Sequence, residues 1–196
     1  NQSMVNYKDY TGASQKLNIF SASAGLNRLL NWPDNYFSLY TGISFQSYNF
    51  KNYPFQFGST TVSNGNANNF SFNVGLSRNS AGYDPIFPTT GSNVEASIKF
   101  TPPYSLFNKD QNYDGKSIAE KYKLIEYHKW KFSIDWYQSL GKSKLVLRTA
   151  AKFGFLGTYN KKVGITPFER FQVGGNGIPS NVTLFGTDII AQRGYE

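Results

Sequence analysis

Cysteine is absent from the 196 residues, and histidine and methionine occur once each. Without thiols there is no disulfide framework, no thiolate metal site and no cysteine nucleophile. A two-histidine metal site cannot be built around His128 alone, and a lone histidine is usually structural. Charge is also scarce, at 16% of residues against roughly 25% in soluble domains. No apolar run approaches the ~20 residues that a membrane-spanning helix needs. No basic-plus-apolar leader opens the chain, so its first residues do not read as a signal peptide.

Aromatic residues, in contrast, make up 17% of the chain. That load excludes a disordered tail, which lacks aromatics and carries far more charge. Lys and Arg number 20 against 12 Asp and Glu, a formal net charge of +8. The basic residues neither cluster nor interleave as a backbone-tracking groove requires, so no nucleic acid partner is expected. The carboxylates lack flanking motifs, which argues against a glycosidase, and an enzyme is not expected. The Gly174-Gly175-Asn176-Gly177 run lacks the lysine and the strand-to-helix context of a phosphate loop, so no nucleotide or other cofactor is expected.

Period-two alternation recurs down the chain and marks strands. Strands are expected near 17–30, 36–50, 69–78, 92–101, 121–139 and 143–157, with a short helical candidate only around 116–122. Phe37, Leu39, Ile43 and Phe45 share one face of the second, opposite Tyr36, Ser38, Tyr40 and Ser44. Phe70, Phe72, Val74 and Leu76 oppose Ser71, Asn73 and Gly75. Trp130, Phe132, Ile134 and Trp136 oppose Lys129, Lys131, Ser133 and Asp135. Phe153 and Phe155 alternate with Lys152 and Gly154.

The connectors differ by end. Residues 31–35 and 140–143 are short turns, and 79–91 is intermediate. Residues 51–69, 101–120 and 158–196 are long, polar and rich in Asn, Gly and Ser. Outer-membrane barrels combine short periplasmic turns, long extracellular loops and strands that are apolar outside and polar inside. A soluble β-sandwich also alternates, but its outer face is rich in charge and threonine. Here the polar faces are Ser, Gly, Asn, Tyr and isolated Lys or Arg, as suits a wet lumen. The fold class expected is therefore all-β, an antiparallel transmembrane β-barrel. Six strands are too few to close one, since about eight is the smallest number seen. An open edge in lipid would leave backbone groups unsatisfied. The reading therefore expects an interior piece of a longer chain, with the remaining strands outside it.

Three stretches carry a family resemblance. Pro167–Glu196 has Phe168 and Phe171 leading into Gly174 and Gly175, then Arg193, Gly194 and Tyr195. This resembles the sixth extracellular loop of the BamA family of outer-membrane β-barrel assembly factors. Ile86–Ser92 is similar to that family's periplasmic turn, with Phe87, Pro88 and Gly91 at the matching positions. Phe100–Phe107 looks like the form found in Bacteroidetes. The resemblance implies a sixteen-stranded barrel preceded by POTRA domains, of which residues 1–196 would be a central part of one barrel domain. It implies an outer-membrane location in a Gram-negative cell, and insertion of client β-barrels without nucleotide, by strand-edge templating and local membrane destabilisation. The gate between first and last strands would lie outside this stretch.

By resemblance, Arg193, Gly194 and Tyr195 form a motif that locks the loop into the barrel, with Gly174 and Gly175 as its hinge. Lipid-facing roles are expected for Phe37, Leu39, Ile43, Phe45, Phe70, Phe72, Val74, Trp130, Phe132, Ile134, Trp136, Phe153 and Phe155. Lys99, Lys123, Lys129, Lys131, Arg148 and Lys152 are expected to keep the interior wet and to fix the loop. Partners implied are outer-membrane lipids and lipopolysaccharide, unfolded outer-membrane proteins as clients, and accessory lipoproteins or surface proteins of an assembly complex. Two other functions compete: a two-partner secretion or translocation pore of the same superfamily, and a soluble carbohydrate-binding β protein.

Overall fold

The computed structural model describes residues 2–8, 14–52, 55–57, 60–81, 86–107, 113, 115–141, 145–174 and 188–191. The strands in chain order are β1 (Gln2–Lys8), β2 (Ser14–Leu30), β3 (Phe37–Lys51), β4 (Phe55–Phe57), β5 (Thr60–Val62), β6 (Gly65–Asn79), β7 (Gly91–Phe100), β8 (His128–Ser139), β9 (Val146–Gly157), β10 (Phe171–Gly174) and β11 (Asp188–Ala191). Two single-turn helices, α1 (Tyr104–Phe107) and α2 (Ile118–Lys121), lie between β7 and β8. The main sheet has the order β1-β2-β3-β6-β7-β8-β9, and every neighbouring pair is antiparallel. Among the described residues it does not close on itself, and β1 and β9 are its edges. Strands β4 and β5 form a hairpin within the connector from β3 to β6, and β10 pairs with β11 in parallel.

The alternating segments all form strands, and β1 adds a seventh that the sequence pattern did not reveal. Strand starts shift by up to four residues elsewhere, as at Gly65 of β6, and one expected boundary is corrected by more. The strand placed at 121–139 begins at His128, and residues 118–121 are helix α2. The cause is a capping box. The Ser117 amide and hydroxyl donate to the Glu120 carboxylate at 3.0 and 2.9 Å, and the Glu120 amide donates back to the Ser117 hydroxyl at 3.4 Å. Residues beyond α2 still bond as extended chain, but to β6: the Asn68 amide donates to the Lys123 carbonyl and the Ile125 amide to the Asn68 carbonyl, both at 2.9 Å.

The register lines up apolar side chains across the sheet. Thr41, Val74, Ile98, Trp130 and Phe155 form one row, and Leu39, Leu76, Ala96, Phe132 and Phe153 the next. All thirteen residues expected to face lipid fall on this face. Phe153 is 63% exposed and Trp136 49%, so no protein layer covers them among the described residues. The buried core lies on the opposite, polar face at the long-loop end. There Leu17, Tyr48, Phe50, Ala67, Ile125, Tyr127 and Phe168 pack together. A soluble sandwich buries its apolar faces against each other; among the described residues this sheet leaves its apolar face bare.

Among the described residues, formal charges on the apolar face sit only at its ends. In register they are Lys8, Lys16 and Lys51 at the long-loop end, and Arg28 and Arg78 at the short-turn end. The Arg78 guanidinium staples two turns. It donates to the Asp34 carboxylate from Nε at 2.9 Å, and from Nη1 to the Ser80 and Ser92 hydroxyls at 2.8 Å each. Gly91, at the end of the second turn, has φ +98°. An added Cβ there would lie 2.6 Å from the Ser80 carbonyl oxygen. Glycine is required on both counts.

Candidate functional site

Lys99 on β7 stands directly opposite Lys129 on β8, and Lys131 follows on the same face two residues on. Like charges facing each other across a ladder are destabilising. Lys129 is only 2% exposed, and a buried ammonium persists only with partners. Both partners come from the segment after β9, which folds back over the polar face. Glu169 accepts from Lys99 Nζ at 2.6 Å and Lys129 Nζ at 3.5 Å, and from the Asn69 amide at 3.3 Å. Asp188, the first residue of β11, pairs with Lys129 and also accepts from Lys131 Nζ at 2.7 to 2.8 Å.

Aromatic contacts seat the same segment. The Phe168 ring stacks on Tyr48 of β3, with centroids 5.0 Å apart and planes at 26°. Phe171 rests on β9 at Gly154, where an added Cβ would come within 2.8 Å of its ring. The Lys129 ammonium sits 4.7 Å from the Phe171 ring centroid, close enough for a cation–π attraction. Beside the lysines a polar cavity of about 530 Å³ is lined by Tyr40, Ser44, Gln46, Asn73 and Ser97.

Burial pushes the Asp188 carboxyl up, but the hydrogen bonds and charges of Lys129 and Lys131 outweigh it and hold the carboxyl below its ordinary value. A depressed carboxylate adds stability above its unfolded pKa and loses it as pH falls through the folded one. The stability difference between the parent protein and Asp188→Asn should therefore be constant near neutral pH and close below the ordinary carboxylate range. Urea midpoints measured from pH 7 down to pH 3 check this, and an unchanging difference would count against the pairing. Burial, followed by the Glu169 charge, also pushes the Tyr127 phenol up.

The basic residues singled out in the sequence separate into three groups. Lys99, Lys129 and Lys131 converge as described. Arg148 pairs with Asp135, donating from Nε at 2.9 Å and from Nη2 at 2.6 Å. Lys123 is exposed in the connector and Lys152 lies on β9 opposite Ser133. Gly174 closes β10 opposite Ala191. Gly175, Arg193, Gly194 and Tyr195 lie outside the described residues. Phe87 is exposed in the turn that Gly91 ends. His128 sits on the apolar face, where its Nδ1 accepts from Trp130 Nε1 at 3.1 Å.

Glu169 and Asp188 were not singled out in the sequence. The usable signal was three lysines on one face of two adjacent strands, which needs carboxylates from elsewhere. Among the described residues no three His, Asp or Glu side chains gather to hold a metal ion, and no helix is long and apolar enough to cross a membrane. The arrangement is a docking site for the chain's own returning segment. The Omp85 superfamily domain matches residues 2–181. No protein of curated function matches the chain.

Proposed function

Because the chain belongs to the Omp85 superfamily, whose outer-membrane members serve protein insertion or translocation, we propose that it is part of a factor that folds and inserts β-barrel proteins into the outer membrane. The observation that carries the membrane placement is the bare apolar face, with Lys8, Lys16, Lys51, Arg28 and Arg78 confined to its two ends. From Lys16 to Arg28 the strand covers about 40 Å at ~3.3 Å per residue. At a tilt near 40° that is roughly 30 Å along the membrane normal, enough for the ~25 Å apolar band of such barrels. The thirteen apolar residues then face lipid, and lipopolysaccharide meets the long-loop end.

Insertion is the reading that the three motifs and their positions support. Phe168, Glu169, Phe171 and Asp188 hold the returning segment on the polar face over β3, β7, β8 and β9. On this reading Arg193, Gly194 and Tyr195 add a further tie of the loop to the barrel, with Gly174 and Gly175 as its hinge. Phe87, Pro88 and Gly91 form a periplasmic turn. Clients are unfolded outer-membrane proteins, which gain ladder hydrogen bonds at a strand edge that lipid cannot supply. POTRA domains, further strands toward a total of sixteen, accessory lipoproteins and a Bacteroidetes source complete the proposal.

Conditional depletion of the intact protein tests it. Heat-modifiable, folded outer-membrane proteins should fall across the envelope, with loss of viability. Loss of a single exported substrate, with other barrels normal, would instead identify a dedicated secretion pore.

A further inference from the structure

We propose that Lys129 is the pin of an electrostatic latch that holds the segment after β9 on the polar face, as an anchor separate from the Arg193 motif. The inference rests on the reading of that face as a barrel interior. On one side of the latch stand three lysines on β7 and β8, fixed by a continuous ladder from Gly91–Tyr137 to Phe100–His128. On the other stand two carboxylates carried by a segment that joins the main sheet by no ladder of its own among the described residues.

Among the described carboxylates, Lys99 reaches only Glu169 and Lys131 only Asp188, whereas Lys129 reaches both. Those carboxylates flank the departure and return of the chain. Glu169 lies just before β10 and Asp188 opens β11, and the Asp188 amide donates to the Arg170 carbonyl at 3.1 Å. One ammonium therefore joins the two ends of the excursion to each other and both to the wall. Its burial makes the latch cooperative. If either carboxylate leaves, the ammonium loses part of its compensation, and if both leave it must be rehydrated. The segment is thereby held or released as a unit, and release re-exposes the lysine row.

The test uses the intact protein folded in phospholipid vesicles, with Lys129→Met and Lys129→Arg. Trypsin nicking after Arg170 and after Arg193, the two sites that bracket the excursion, is followed by mass spectrometry, and heat-modifiable mobility reports the folded barrel. Lys129→Met should raise the nicking rate about tenfold or more, since cleavage tracks the open population, while Lys129→Arg stays near the parental rate. Equal rates for the parent and Lys129→Met would overturn the latch. If Lys129→Met loses its heat-modifiable form, Asp188→Asn decides, because it leaves the lysine row intact. Faster nicking then supports the latch and an unchanged rate overturns it. Failure of the latch shows only in nicking, whereas failure of the assembly reading shows only on depletion.

Discussion

Phe168→Ala is expected to lower stability by about 3–5 kcal/mol, as truncation of a fully buried phenylalanine does. The ring is 0% exposed and stacks on Tyr48. Its neighbours come from unlike places: Leu17 on β2, Tyr48 and Phe50 on β3, Ala67 on β6, and Ile125 and Tyr127 from the connector before β8. Collapse of the cavity would require backbones fixed by the sheet ladder to move, so little of the cost can be relieved. The loss should appear as a lower urea midpoint of the intact protein in micelles. Phe168→Leu, which keeps most of the volume, should recover much of it. A midpoint within error of the parent would show that the segment does not depend on this core.

The second large effect concerns the apolar face. Val74→Arg should cost about 2–4 kcal/mol, whereas Leu147→Arg, near the short-turn end, should cost only ~0–1 kcal/mol. Both positions belong to the same face in register. Val74 lies in a row with Thr41 and Ile98, inside the band bounded by charged residues. The natural occurrence of Arg78 on this face, at the short-turn end, fits the same gradient: its guanidinium finds Asp34, Ser80 and Ser92. Urea midpoints of the two variants in phospholipid vesicles give the comparison. Equal penalties at both depths would mean that protein rather than lipid covers the face.

Much of this arrangement was legible from alternation alone. In β3, β6, β7, β8 and β9 a residue's parity decides its face, and the inverse placement of aromatics and small polar residues announced which face lacks water. β1 was not legible, because Gln2–Lys8 reads QSMVNYK and puts Met4 and Val5 side by side. Residues 121–127 misled for a different reason. Tyr122, Leu124 and Glu126 alternate with lysine and isoleucine as in a strand, but the Ser117–Glu120 capping box turns the chain first. The segment then pairs with Asn68 instead of continuing β8. The lysine–carboxylate site was half visible. The lysines sit on predictable strands, yet Glu169 comes to Lys99 only after the chain has run through two further strands and returned. No local pattern encodes that closure.

The returning segment touches the wall at Tyr48 on β3, at Lys99, Lys129 and Lys131 on β7 and β8, and at Gly154 on β9. In geometric terms the strands trace an arc and this segment is its chord. The curvature of an arc cannot change while both the arc length and the chord are fixed. Hydrogen bonds between strands fix the first, and Phe168, Glu169, Phe171 and Asp188 fix the second. Any flattening of the wall from β3 to β9 must therefore stretch or detach the chord, so this sector acts as a stiff rib of the cylinder.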